Sequence, residues 1–237
     1  KKKVKSNGGF AEYVVVPEEC CVTLDNELPS EIAALIGCAV STGIGSVLNT
    51  AKFKPGSTVM VLGCGGVGLS IIMGAKLAGA SKIIAVDNIA TKLEIAKASG
   101  ADFLLMSNAE LADKILELTG GRGADYIFEA IGIPSIQENC LNYVRPGGTI
   151  VFVGISPMGS STNLPGAIIT RKEINIKGSY YGSINALRDF PLYADLYMNN
   201  KINLDLLISQ KYQLEEINET YDDLLKGKIA RGVIVFD

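Results

Sequence analysis

A short apolar run, Thr58-Val-Met-Val-Leu62, leads straight into Gly63-Cys-Gly-Gly-Val-Gly68, and a helix-like stretch follows at once. In that setting the glycines of Gly63-x-Gly65-x-x-Gly68 have separate tasks. Gly63 permits a tight turn, Gly65 lets backbone approach a pyrophosphate, and Gly68 lets the helix pack closely on the strand. Gly66 and Val67 open that helix, whose free N–H groups and positive dipole end face an anion. A second apolar run, Lys82-Ile-Ile-Ala-Val86, ends on Asp87, 19 residues beyond Gly68. An acid about 20 residues past the glycines accepts the ribose hydroxyls of a dinucleotide. Its charge repels a 2′-phosphate, so NAD is expected rather than NADP. Lys92 has two readings: a contact to the adenosine ribose, or a solvated helix lysine.

The rest of the composition narrows the chemistry. There is no histidine, and the chain does not begin with Met. Hydride transfer needs a proton acceptor or a metal to polarise the carbonyl; no residue is assigned as catalytic, and the chain is expected to be part of a longer protein. Five cysteines, Cys20, Cys21, Cys38, Cys64 and Cys140, are odd in number and lack paired spacing. That argues against a disulfide framework and for a reducing, cytoplasmic setting. With 237 residues, 48% of them hydrophobic, the chain has enough apolar mass for a large core. Net charge is −3 and no basic cluster joins an aromatic platform, so nucleic acid is not expected as a partner. The run Lys1-Lys2-Lys3-Val4-Lys5 reads as a solvated loop. No uninterrupted apolar stretch reaches about 18 residues and there is no secretory signal, so no membrane partner is expected.

The elements that must hold the glycine loop follow from periodicity and turn residues. Phe10–Val16 and Cys21–Leu24 read as short strands separated by Pro17. Pro29 and Ser30 open a helix that Gly37 ends, and a second helix runs from Thr42 to Lys52, stopped by Pro55-Gly56. Strands are predicted near 58–62, 82–86, 102–106, 124–129, 148–153 and 173–179, with helices at 66–79, 91–99, 108–119 and 134–143. This alternation predicts an α/β fold with a doubly wound parallel sheet of about six strands. Arg145-Pro-Gly-Gly148 is the turn into the fifth strand. Beyond Gly182 the alternation stops: helices near 185–199 and 214–226 and a final strand from Arg231 to Phe236 belong with the N-terminal segment in a smaller lobe.

Several strings carry a resemblance. Gly8-Gly-Phe-Ala-Glu-Tyr13, Gly37-Cys-Ala-Val-Ser-Thr-Gly43, Lys54-Pro-Gly-Ser57, the glycine loop, Phe128-Glu-Ala-Ile-Gly132, Arg145-Pro-Gly-Gly148 and Ile229–Phe236 occur in one order. Together they resemble the zinc-dependent medium-chain alcohol dehydrogenases. The resemblance implies a Rossmann cofactor domain at 39–182, a partial GroES-like catalytic domain at 1–38, and a return to that domain at 183–237. It implies NAD as cofactor, a small alcohol or carbonyl substrate, and zinc in the full-length parent, with the catalytic residues upstream of this chain.

The resemblance also assigns residues. Cys38 matches a catalytic-zinc ligand, and a small buried thiol at a helix end is the other reading. Thr42 matches a threonine near the nicotinamide, with a helix N-cap as the alternative. Ile131, Gly132, Val153, Gly154 and Ile155 fall at the carboxyl ends of strands four and five, where ligands bind in open α/β sheets. They would wall the crevice or simply pack the strand ends. Tyr180 and Tyr181 would contact the nicotinamide end or cover it. Arg231 matches an arginine that pairs with the pyrophosphate, or is an exposed strand-edge cation. Glu129 reads as structural. The edge from Ile168 to Ser179 would pair two copies into a homodimer or a higher homo-oligomer. By itself the chain is expected to bind NAD without turnover. Two other classes stay open: a zinc-free quinone or enone reductase, and a non-catalytic NAD-binding module.

Overall fold

The computed structural model describes residues 9–227 and 229–236. The lysine run at 1–5 and Gly8 of the first motif lie outside the described residues. At the centre is a six-stranded parallel sheet in the order β3-β2-β1-β4-β5-β6. The strands are β1 (Thr58–Leu62), β2 (Lys82–Asp87), β3 (Phe103–Met106), β4 (Ala124–Glu129), β5 (Val144–Phe152) and β6 (Asn175–Gly178). The order reverses between β1 and β4, the place where open α/β sheets form a crevice.

The central strands β1 and β2 are near-continuous apolar runs because both sheet faces are covered there, while the edge strands β3 and β6 are only partly buried. Alternate residues feed two cores. Val59 and Val61 of β1 join Ile83, Ala85, Phe128 and Val151 on one face. Met60 and Leu62 join Ile84, Val86, Ile127 and Ile150 on the other. The first face lies under α1 (Ser30–Ala51), α2 (Gly66–Leu77) and α3 (Ala90–Ser99); the second lies under α4 (Leu111–Leu118) and α5 (Pro134–Tyr143).

Three expectations need correction here. The segments 10–16 and 21–24 are not strands; apart from a short turn of 3₁₀ helix at Glu18–Cys20 they are irregular, and largely exposed. A β-rich sequence forms a strand only where a neighbour completes the hydrogen-bond ladder, and none of the described residues pairs with them. Gly37 does not end a helix: α1 runs unbroken for 22 residues. Ile32, Leu35, Ile36, Val40, Ile44 and Val47 bury one continuous face, and that packing outweighs the ~1 kcal/mol an interior glycine costs. The helix widens to π turns at Ile36–Val40 and Ser46–Ala51, and the Ser41 hydroxyl donates to the Ile36 carbonyl at 2.5 Å. Because α1 runs straight through Thr42, Thr42 is not an N-cap.

Length and composition alone would let α1 cross a membrane, yet 61% of its apolar window is buried inside the molecule. The expectation of no membrane-length apolar segment is thus corrected by length and composition: polar Ser41 and Thr42 interrupt the apolar run but not the helix. Gly43 lets α1 approach α2: a Cβ there would lie 2.4 Å from the Ser70 Cβ and 2.6 Å from the Val67 carbonyl.

α6 (Gly166–Lys172) lies between β5 and β6, and past the sheet come α7 (Ala186–Met198) and α8 (Ile217–Leu225). Arg231–Ile234 is a strand, β8, as the sequence predicts, but its parallel partner β7 (Ile208–Tyr212) was not anticipated. β7 reads Ile-Ser-Gln-Lys-Tyr, too polar to signal a strand. Phe10 meets Tyr221 of α8 edge to face, with ring centroids 6.1 Å apart, so the first described residues touch the tail.

Candidate functional site

The carboxyl ends of β1, β2, β3 and β4 open on a cleft of about 300 Å³. Gly63, Gly65, Asp87, Lys92 and Ile131 of the predicted set line it, and Leu62, Val86, Asn88, Ser107, Ala130, Ile133 and Ile136 complete the wall. The three motif glycines behave differently there. Gly63 has φ +92°, in the left-handed region that favours glycine, and a Cβ on it would sit 2.6 Å from Ile131. Gly65 precedes the first turn of α2 and has nothing within 4 Å of where a Cβ would stand. A Cβ on Gly68 would lie 1.7 Å from the Gly63 carbonyl oxygen. The turn, the open approach and the close helix packing thus fall on the three positions assigned to them.

Asp87 is buried at the end of β2. Its Oδ2 accepts from the Cys64 amide at 2.7 Å and its Oδ1 from the Ile89 amide at 3.0 Å. The carboxylate therefore pins the glycine loop to the second strand while lining the cleft. Lys92 stands on α3 over the same cleft. Arg231, far away in sequence, arrives at the loop from β8: a Cβ on Gly66 would lie 2.5 Å from its Nε. A guanidinium over a helix N-terminus beside an open glycine turn is a geometry made for phosphate oxygens.

The second wall is set by Glu129, fully buried at the end of β4. Its Oε1 accepts from the amides of Ile131 and Gly132, both at 2.7 Å. Its carboxylate is consumed by backbone and by Gln137, so it shapes the loop, as the sequence suggests. Gly132 (φ +84°) and Gly154 let this loop touch the one after β5: a Cβ on Gly154 would lie 2.1 Å from the Gly132 nitrogen. Val153 is buried and Ile155 is exposed just past β5. Thr42, Gly66, Val67, Gly68, Gly132, Val153, Gly154, Ile155 and Arg231 do not line the cleft itself.

Cys38 lies in a different groove, of about 470 Å³, with Phe10, Leu35, Tyr221, Leu224 and Phe236 among its walls. Arg231 lines this groove and not the cleft, while its Nε lies beside Gly66 at the start of α2. Cys38 is exposed, not the buried thiol of its alternative reading. The Tyr181 hydroxyl donates to the Gly37 carbonyl; burial first, then the neighbouring Cys38 and Tyr180, raises the phenol above its usual range. Tyr180 is almost fully exposed. Among the described residues no three His, Cys, Asp or Glu side chains cluster as a metal site. A catalytic zinc takes three protein ligands; Cys38 offers one, so the residues present do not make a zinc site by themselves.

Cys64, inside the glycine loop, is fully buried, and burial followed by the nearby Asp87 charge pushes its thiol up to about 12. Cys140 is also raised, mainly by burial. Since the thiolate is the nucleophile, native protein at neutral pH should react quickly with iodoacetamide at Cys20, Cys21 and Cys38 only. Mass spectrometry of the labelled chain reads this directly. Fast labelling of Cys64 would contradict the sealed loop.

The sequence missed Asn88, Ser107, Ile133 and Ile136. Asn88, Ser107 and Ile133 sit within a few residues of a strand's carboxyl end, so the strand-end rule that found Ile131 extends to them, whereas Ile136 lies on α5. Gln137 was missed for another reason: nothing in a helical amide's spacing marks its partners.

The comparisons bear on this geometry. Residues 66–198 match the family model described as zinc-binding dehydrogenase. The NDMA-dependent alcohol dehydrogenase of Amycolatopsis methanolica is 37% identical over 231 residues, covering 96% of this chain and 62% of that protein. The alcohol dehydrogenase class-3 of Caenorhabditis elegans is 36% identical over 237 residues, covering 96% and 61%. The crystal structure of benzyl alcohol dehydrogenase from Acinetobacter calcoaceticus superposes with a TM-score of 0.94 at 30% identity, covering 98% of this chain and 64% of that one. An Escherichia coli alcohol dehydrogenase structure described as complexed with cofactor NADH gives 0.86 at 25% identity, covering 98% and 67%. This chain spans about 62% of the length of the first of these relatives. The match over more than half of its residues places the chain in the zinc-binding dehydrogenase family.

Proposed function

We propose that this chain is the NAD-holding portion of an alcohol dehydrogenase that interconverts an alcohol with an aldehyde or ketone. The observation that carries the reading is convergence: Gly65 open to the cleft, Asp87 at its side and Arg231 over the helix N-terminus. Asp87 would take the adenosine ribose hydroxyls, with Lys92 beside it. The Gly63–Gly68 turn and Arg231 would take the pyrophosphate. The loops at 131–132 and 153–155 would wall the crevice, Ile131 beside Asp87 and the β5 loop toward the nicotinamide, with Thr42 nearby on α1. The dinucleotide, once bound, supplies the hydride acceptor; the protein orients it and keeps backbone donors on its phosphates.

Cys38 is proposed as one zinc ligand of the complete protein. The residue groups 1–38, 39–182 and 183–237 are proposed as catalytic, cofactor and returning catalytic segments, although residues 38 and 39 share one helix. The Phe10–Tyr221 contact supports joining the outer two. A small alcohol or carbonyl substrate and a cytoplasmic setting complete the reading, the latter supported by five unpaired thiols. β6 has a single strand partner, β5, among the described residues, which supports pairing of two copies along that edge; a monomer by light scattering would contradict it.

Arg231→Ala tests the pyrophosphate assignment. NAD affinity is expected to fall about tenfold, the range for one charge-assisted contact, with thermal stability little changed. Equal NAD affinity in mutant and parent would return Arg231 to an ordinary strand-edge cation.

A further inference from the structure

Gln137 is a buried amide on α5 with no place in the cofactor contacts assigned above. Its Nε2 donates to Glu129 Oε2 at 3.2 Å and to the Gly154 carbonyl at 3.5 Å. Its Oε1 accepts from the Thr162 hydroxyl at 2.6 Å and the Ser156 hydroxyl at 3.2 Å. Both N–H donors and both acceptor positions of the amide are used. The orientation is fixed by the partners, since a carboxylate and a carbonyl can only accept.

This amide joins two loops. Through Glu129 it reaches the amides of Ile131 and Gly132 after β4. Directly, it holds Gly154 and Ser156 after β5. The two loops are in backbone contact, because a Cβ on Gly132 would lie 2.5 Å from the Ile155 carbonyl oxygen. Strand order then says which part of the cofactor these loops serve. Asp87 ends β2, the glycine loop ends β1, and β4 and β5 follow on the other side. A dinucleotide with its adenosine ribose at β2 and its pyrophosphate over β1 must lay its other half past the β4 loop, whose Ile131 also walls the cleft beside Asp87, toward the β5 loop, which stands outside that cleft.

We propose that Gln137 is a positioning residue that clamps the β4 and β5 loops and so sets affinity for the nicotinamide half of the dinucleotide, not the adenosine half. The proposal rests on the dinucleotide reading. Leucine at this position keeps the approximate volume and removes all four polar links. Glu129 keeps its two backbone donors but loses its side-chain partner, which frees the loop without emptying the core.

Calorimetric titration of the intact chain with NADH and with ADP-ribose, which lacks the nicotinamide, separates the halves. For Gln137→Leu, NADH affinity should fall about tenfold while ADP-ribose stays within about twofold. A double variant, Ser156→Ala with Thr162→Val, leaves Gln137 and Glu129 intact; it should show the same selectivity with a smaller loss, and guards against misfolding of the first. Equal losses for both ligands would make Gln137 a general structural residue and overturn the proposal, as would no loss for either. Failure of the unaltered chain to bind ADP-ribose would instead overturn the dinucleotide reading, and this inference with it.

Discussion

Asp87→Ala should weaken NAD binding between about tenfold and a hundredfold, and should erase most of the preference for NAD over NADP. The magnitude follows from the contacts removed. A hydrogen bond to a charged acceptor contributes about 1.5–3 kcal/mol, and about 1.4 kcal/mol is a factor of ten. NADP gains where NAD loses, because the charge that repels a 2′-phosphate is gone. The structure adds a complication that the sequence does not show. Asp87 also holds the amides of Cys64 and Ile89, so alanine loosens the glycine loop as well. Asp87→Asn keeps an oxygen acceptor for an amide but removes the charge. It should retain part of the NAD affinity while losing discrimination against NADP. Calorimetry with both nucleotides on both variants reads the two effects separately. An unchanged NAD-to-NADP ratio in the alanine variant would show that Asp87 serves only the loop.

The glycines of one motif should separate stability from binding. In Gly68→Ala the new Cβ would stand 1.7 Å from the Gly63 carbonyl oxygen. Backbone cannot swing aside as a side chain can, so α2 or the turn must move. Overpacking of this kind costs roughly 1–3 kcal/mol or more. At about 2–4 °C per kcal/mol for a chain of this length, Tm should drop by about 2–12 °C. Gly65→Ala meets nothing within 4 Å, at a φ of −77° that alanine adopts freely. Its Tm should match the parent. Its methyl group would stand where the pyrophosphate must approach, so NAD affinity should fall at least about tenfold. Calorimetric melting and titration on the two proteins decide the matter. Equal thermal losses would contradict the division of labour at this turn.

How far sequence reaches depends on the range of the interactions involved. The glycine loop, Asp87 and the strands of the sheet were legible because each signal is local: apolar runs for the central strands covered on both faces, and a fixed spacing between turn and acid. Residues 10–24 misled because β-propensity says nothing about whether a partner strand is present. Gly37 misled because a weak local penalty was set against a long buried face that only the folded helix reveals. β7 is polar and was invisible until β8 paired with it. Arg231 was assigned by resemblance alone; its approach to Gly66 depends on the path of the last strand. Gln137 left no trace, since an amide's worth lies entirely in what surrounds it.

This chain is proposed to hold NAD in the cleft lined by Gly63 and Asp87, with Arg231 at the start of α2. Calorimetric titration of the unaltered chain with NAD and with NADP tests it most directly. The account predicts one site per chain for NAD, with NADP weaker by at least about tenfold, the loss of one charged contact. No binding of either nucleotide, or equal binding of both, would contradict it.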